Sequence, residues 1–574
     1  MSNKPSLTRL AAAVLVLAAG VSTSHAQLRP EQVVVVYDSR LPDSLAVAEH
    51  YAGSAKVPGG AGGRSGTRPN VNVFNLASVG VGPIVTSDIY RSEYNAWIRN
   101  PLRTRLTTLE ATLDIRCIVL TKGLPHRIYQ DPGPAGGLFA LGDNPSSSSN
   151  SFFAGQFNTA SVDSDLTLLR QNIETGELGA SGDSRSDGVI FNPYWRRTLP
   201  ISAWTSSNRA AAKNINAMFN GTSGLPGPVL GMFWTATPPN DRDPAAITQL
   251  SPGDMYLVCR LDGRTVTDVR AMLDRATSPT GTIAVNTLTA GFILDEYNSD
   301  GVQGPINTSG GILNGAENDN LSYNELWGGD DYEQTRDTMN ADGRYVSTNI
   351  KYDALGNKAN FIVGSRVSFN GEGKIIDTLA SPLPILLLAH GGANSSGTSP
   401  GDSTPASPNS RTQYASSFTY APGCVFNTIE SFNGREFGDV MPGSIPQQQM
   451  ADYITAGGTL GIGHVWEPTV LTLPDNFQII RNLALGNLTW AEAAWTSIPV
   501  LSHQHVVIGD PLARYTRSSE DINADGQITI NDLYNWNAAP TNVNRLGGIT
   551  DADRVLVQNA ARASRDIDMK GGQR

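Results

Sequence analysis

Five oxygen donors recur at fixed intervals near the end of this sequence. Asp521, Asn523, Asp525, the Gln527 carbonyl and Asp532 fall on positions 1, 3, 5, 7 and 12 of a twelve-residue loop. A hard cation such as Ca2+ takes about six to eight oxygens, and a loop of this length delivers them if a glycine makes the sharp turn at position 6. Gly526 stands there, and Ile528 at position 8 pins the loop to its neighbour. An Asx-rich turn without metal is the alternative, and this many matching positions weigh against it. A decayed copy follows 21 residues later, with Asn542, Asn544, Leu546, Gly547, Ile549, Thr550 and Asp553 on positions 1, 3, 5, 6, 8, 9 and 12. It keeps the glycine, the Ile-Thr pair and the closing aspartate, but Leu546 cannot ligate. One calcium site is expected, in the first loop, with a doubtful degenerate second.

A second pair of residues carries a different chemistry. His390 closes the apolar run PILLLAH and is followed by Gly391; Cys424 follows Pro-Gly in YAPGCVFNT, at a loop-to-strand junction. An imidazole beside a thiol holds a thiolate and then protonates a leaving amine, so His390 and Cys424 are the candidate catalytic residues. The plainer reading makes His390 a hydrogen-bonded structural residue and Cys424 a small hydrophobe. Cys117 in IRCIVLT and Cys259 in MYLVCRL read as buried thiols. Three cysteines are an odd number, too few for a disulfide framework. No paired-carboxylate signature of glycoside hydrolysis is present.

The elements that must position these residues alternate. VVVVYDS (33–39), VNVFNLA (71–77), IRCIVLTKG (115–123), VLGMFW (229–234), MYLVCRL (255–261), AGFILDE (290–296), PILLLAH (384–390), GTLGIGHV (458–465) and HVVIGD (505–510) read as strands. Helical patterns lie between them: DSLAVAEHYAGSAK, a stretch from about Ser87 to Leu109, TVTDVRAMLDRA, QQQMADYITAG and WAEAAWTS. Such alternation predicts an α/β fold, a mostly parallel sheet with helices on both faces. Ligands of open α/β sheets bind beyond the carboxyl ends of strands, where this chain presents Asp38, Lys122, Asp295, His390, His464 and Glu467. PGGAGGRSG (58–66), NPSSSSNS (144–151) and SSGTSPGDSTPASPNS (395–410) read as surface loops.

Of the 574 residues, 42 are Lys or Arg and 53 are Asp or Glu, a net charge of −11. An acidic balance without a basic run argues against nucleic acid as the main partner. Lys4 and Arg9, the apolar run Leu10 to Val21 and Ser24-His25-Ala26 have the layout of a secretory signal peptide cleaved after Ala26. Export to the periplasm, cell surface or medium is therefore expected. No span is expected in the mature protein. The expected organisation is a signal peptide at 1–26 and an α/β body at 27–515, with two halves dividing near 225–250. A linker at 516–520 and a calcium-loop module at 521–568 complete it.

The paired loops resemble a type I dockerin module, whose repeats carry D-x-N-x-D-G-x-I-T-x-x-D-L. That resemblance implies a small α-helical module that docks onto a cohesin-like or cell-surface protein. The body resembles a family of exported bacterial proteins, without an assigned activity, from species with exosortase sorting systems. The segments that carry this are VVVVYDSRLPDSLAVAEHYA, CIVLTKGLPHRI, SVDSDL (161–166), YLVCRLDG, YAPGCVFNTIESFNG and the run from ADYITAGGTLGIGHVWEP to HVVIGDPLARY. More faintly, His390-Gly391, Cys424 and Val507-Ile508-Gly509-Asp510-Pro511 resemble caspase- and gingipain-type cysteine peptidases. The favoured expectation is a non-enzymatic exported surface or matrix protein whose body binds a peptide or glycan and whose tail binds calcium. The alternatives are a cysteine endopeptidase using His390 and Cys424 and, more weakly, a component of polysaccharide degradation attached through the tail.

Overall fold

The structure, a computed structural model, describes residues 27–60, 62–80, 87–129, 160–171, 190–205, 209, 250–277, 283–285, 289–295, 331–341, 345–353, 361–368, 373–391, 411–428, 432–437, 449–466, 473–485, 488–516, 520, 522, 529–543 and 548–571. The expected signal peptide, the strand expected at 229–234 and the loops at 144–151 and 395–410 lie outside these residues.

Ten strands form one sheet: β1 Val33–Tyr37, β2 Asn72–Asn75, β3 Cys117–Thr121, β4 Leu257–Leu261, β5 Gly291–Asp295, β6 Ile350–Asp353, β7 Pro384–His390, β8 Thr419–Thr428, β9 Leu460–His464 and β10 His505–Ile508. Their order is β6-β5-β7-β8-β9-β10-β4-β3-β1-β2. All neighbours are parallel except β9 and β10, which pair antiparallel from Gly461↔Ile508 to His464↔His505. Two parallel five-stranded blocks thus meet at one antiparallel seam and point in opposite directions. The runs VVVVY, CIVLT, LVCRL and GFILD are buried at every residue, because a strand covered on both faces has no polar side to show. The chain leaves the first block after β4, builds β5 to β9, and returns to the first block with β10.

Beside the helical stretch from Arg91 to Leu109, the helices of the body are α1 Pro42–Ala52, α2 Val162–Leu166, α3 Val266–Ala276, α4 Asp331–Ala341, α5 Arg411–Ser417, α6 Gln449–Thr455, α7 Asn476–Ile479 and α8 Trp490–Ser497. Seven of them form two contacting rows, α1–α3–α6–α5 and α4–α7–α8, while α2 lies against β4 and β10. α3 shows why: Thr265 and Asp268 make a reciprocal capping box, and Val269, Met272, Leu273 and Ala276 bury one stripe. α8 is buried all round, so its indoles must find acceptors. Trp490 Nε1 donates to the Ile508 carbonyl at 2.9 Å and Trp495 Nε1 to that of Val258 at 2.8 Å. The helix expected from Ser87 begins instead with a short strand, Asp88–Tyr90, and turns helical at Arg91.

Two further helices, α9 Ile530–Ala538 and α10 Asp551–Gly571, pack on each other around Trp536, Val543 and Val557, apart from the main core. Among the described residues no helix is long and apolar enough to cross a membrane.

Candidate functional site

In each block the outermost strand is the second in chain order, followed inward by the first, third, fourth and fifth: β2-β1-β3-β4-β10 and β6-β5-β7-β8-β9. The winding direction therefore reverses twice, between β1 and β3 and between β5 and β7. In doubly wound sheets, ligands bind in a crevice beyond the carboxyl ends of strands at such a reversal. Since the blocks are antiparallel, the two crevices lie at opposite ends of the sheet. Asp38 and Lys122 fall at one; Asp295, His390 and His464 fall at the other; Glu467 lies outside the described residues. The five described candidates do not form one mouth.

The first crevice is closed by its own ion pairs. Asp38, fully buried, takes Arg40 Nε at 2.9 Å and Nη2 at 2.6 Å. Lys122 Nζ donates to the Gly263 carbonyl at 2.7 Å and the Phe437 carbonyl at 3.2 Å, and pairs with Asp262 at 3.4 Å. Ser44 and Thr121 share a hydroxyl contact of 2.7 Å between them. These polar groups are already engaged in holding the fold.

The second crevice is arranged differently. Asp353, Asp295, His390 and Thr428 close β6, β5, β7 and β8 and are register partners in that order, so their side chains stand in one row on one face. His390 Nδ1 lies 3.2 Å from Asp295 Oδ2, which also accepts the Ile362 amide at 2.8 Å. The Tyr414 ring lies against His390, with centroids 4.5 Å apart. On the other side of His390, Thr428 Oγ1 accepts from Asn433 Nδ2 at 2.7 Å, and Asn433 Oδ1 accepts the His464 amide at 2.7 Å. Asn433 belongs to a segment that the first block holds in place, through Lys122 on Phe437 and His126 Nε2, 2.6 Å from the Arg435 carbonyl. An imidazole aligned by a carboxylate, with a hydroxyl beside it, can take and return a proton. Thr428 and Asn433 were not singled out from the sequence, although both lie in VFNTIESFNG.

His390 and Cys424 are not brought together. His390 pairs with Thr428, and Cys424 sits four residues earlier on β8, about 13 Å back at ~3.3 Å per residue. Its side chain is fully buried, and burial pushes the thiol far above its ordinary value. Cys424 is part of the core, as are Cys117 and Cys259. It lies within a strand because β8 runs straight through Pro422 and Gly423; Gly423, at φ +84°, takes up the register shift against β7.

Comparison with family models, curated proteins and solved structures returned no match.

A buried network that the sequence reading had not interpreted lies behind the seam. The SVDSDL segment folds as α2, capped by Ser161, whose Oγ accepts the Ser164 amide at 2.9 Å. Asp163 binds Arg260 through Nη2 at 2.7 Å and Nε at 3.1 Å, and Arg260 also donates to the Leu124 and Pro125 carbonyls. Asp165 receives Arg91 at 2.8 Å and the Tyr94 hydroxyl at 2.7 Å. Ser161 ties this segment to β10 through the carbonyls of His503 and His505. The rings of His464, His505 and His503 follow one another at centroid distances of 5.2 and 5.7 Å, all fully buried. Burial, and then the nearby His464, hold His503 down to about 3.

Of the candidate calcium ligands, Asp521, Asn523, Asp525 and Gln527 lie outside the described residues. Asp532 is described and buried. Its Oδ1 accepts the Ile522 amide at 2.8 Å, drawing the two ends of the loop together, and its Oδ2 accepts the Thr529 amide at 2.7 Å as the cap of α9. Asp553 caps α10 in the same way, accepting the Thr550 amide at 2.8 Å. Loop closure by the position-12 carboxylate fits a cation loop. Among the described residues no cluster of three or more His, Cys, Asp or Glu is placed to hold a metal.

Proposed function

We propose that this is an exported protein whose body binds a peptide or glycan at the carboxyl ends of β5, β7 and β8, and whose tail binds calcium and docks on a cohesin-like or cell-surface partner. The observation that carries the body's part is the Asp295–His390 pair at the second reversal of winding, with Thr428 completing the row. The equivalent first-block position is filled by Arg40 and Lys122, which points to one binding crevice rather than two. The register of β7 and β8, which separates Cys424 from His390, weighs against a cysteine peptidase built on that pair. Screening the mature chain against peptide and glycan arrays tests the reading. Binding that disappears in Asp295→Ala is expected; a folded chain that binds neither class overturns it.

For the tail, the reading rests on the first loop, on its closure by Asp532 and on the apolar side chains that α9, α10 and the loop before α10 expose: Ile530, Tyr534, Ile549 and Val555. Tyr534 and Val555 are 21 residues apart, at equivalent places in the two repeats, and suit a partner that contacts both. Extracellular loops of this type bind calcium at ~10⁻⁴–10⁻³ M. At ten times Kd the ion should stabilise the tail by about 1.4 kcal/mol. Scanning calorimetry of the whole chain is expected to show one transition that calcium raises and a body transition that it leaves alone. Asp525→Ala should abolish the calcium response. Asp553→Ala should keep it while lowering the tail's own stability by about 1 kcal/mol through the lost cap. Two equal sites in a calorimetric titration, or no response at about 10 mM calcium, would contradict this.

A further inference from the structure

The second-block row supports chemistry as well as binding, and the inference that follows rests on the binding reading above. We infer that Thr428 is a nucleophile for acyl transfer, with His390 as its general base and Asp295 as the carboxylate that orients His390; the substrate class is an ester or amide, such as a peptide or an acylated glycan.

Three observations converge. First, the three residues close three adjacent strands and are register partners, so His390 stands between Asp295 and Thr428 with each neighbouring strand ~4.8 Å away. Second, Asp295 is itself fixed, by the Ile362 amide on its Oδ2. Its Oδ2 lies 3.2 Å from His390 Nδ1, so a proton carried on that nitrogen would face the carboxylate and leave Nε2 as the basic one. The Tyr414 ring against the imidazole sets its plane. Third, the orientation of the Asn433 amide is settled by a backbone group. The His464 N–H can only donate, so the atom facing it is Oδ1, and the other terminus, Nδ2, must donate to Thr428 Oγ1. The hydroxyl therefore accepts from Asn433 and keeps its own proton to give. A threonine serving only to finish a strand would account for the Asn433 bond, but not for a carboxylate-aligned histidine in the same register.

The reaction balances without a cofactor. As Thr428 Oγ1 bonds to the carbonyl carbon, its proton passes to His390 Nε2. The tetrahedral intermediate expels the ester oxygen or amide nitrogen, which takes that proton from His390. Water then adds to the acyl-threonine and gives a proton to His390. The Oγ1–carbon bond breaks, the acid departs, and the proton returns to Oγ1. The net change is hydrolysis of one acyl bond by one water.

The test is covalent labelling of the intact mature chain with a fluorophosphonate probe, read by mass spectrometry of the peptide containing Thr428. Thermal melts confirm that each variant is folded. An adduct on Thr428 is expected, absent in Thr428→Val, retained in Thr428→Ser, and formed about 100-fold more slowly or worse in His390→Gln. A folded chain that takes no adduct at Thr428, or takes one at a rate that His390→Gln leaves unchanged, overturns the inference. Array binding that persists in such an unlabelled chain and still depends on Asp295 shows that catalysis alone has failed. Loss of that binding as well takes the binding reading down with it.

Discussion

Asp163→Ala is expected to cost the body about 3–5 kcal/mol, the largest loss of any single substitution considered. The aspartate and Arg260 are both inaccessible to solvent, and Arg260 spends its remaining donors on the Leu124 and Pro125 carbonyls. Removing the carboxylate leaves a buried guanidinium with only Asp262, 3.6 Å from Nη1, as a counter-charge. The pair itself is a poor source of stability, because desolvating two charges offsets most of their attraction; burial pushes Asp163 above its ordinary range even against Arg260. Two results separate these effects. Asp163→Ala alone should lower the urea midpoint sharply, while Asp163→Leu combined with Arg260→Met should recover much of the loss. A single substitution costing under about 1 kcal/mol would mean that water or another anion reaches Arg260.

Acidification is expected to weaken the body well before its ordinary carboxylates titrate. His503 is held neutral, at about 3, against the ordinary value near 6.5 in an unfolded chain. Between those values the unfolded state binds the proton and the folded state does not. Stability is therefore complete above about pH 6.5 and falls as the pH drops toward 3, by about 1.4 kcal/mol per pH unit for one such group. His126 acts in the same direction: burial lowers it first, and Arg127, Arg260 and Lys122 lower it further. Asp163 and Glu492, raised by burial, have the opposite sign, so the diagnostic is a difference between proteins. Urea melts from pH 7.5 to 5 should show the slope in the wild type and a slope smaller by about one proton in His503→Gln. Equal slopes would contradict a neutral, buried His503.

Which features were legible in the sequence follows from how local their causes are. VVVVY, CIVLT, LVCRL and GFILD read as strands because burial on both faces leaves a continuous apolar run. β6, IKYD, is half-polar at the sheet's edge and was missed; β8 was hidden by Pro422-Gly423, which has the composition of a turn. Strand direction leaves no trace in side-chain periodicity. GTLGIGHV and HVVIGD look alike on the page, so the antiparallel seam was invisible, and residues at opposite ends of the sheet were grouped at one mouth. The same limit explains Cys424. His390 could be recognised at its strand end, but its partner on the next strand depends on register, which long-range packing sets. The calcium-loop pattern is visible in the sequence because its candidate ligands all lie within twelve consecutive residues.

The working crevice is proposed to lie at the carboxyl ends of the second block. Equilibrium titration of the strongest array ligand into the intact chain, Asp295→Ala and Arg40→Met tests it most directly. Asp295→Ala should weaken binding tenfold or more, about 1.4 kcal/mol, while Arg40→Met, at the closed first crevice, should bind within about threefold of the wild type. Loss of affinity in Arg40→Met with full affinity in Asp295→Ala would place the ligand at the opposite end of the sheet and contradict this placement.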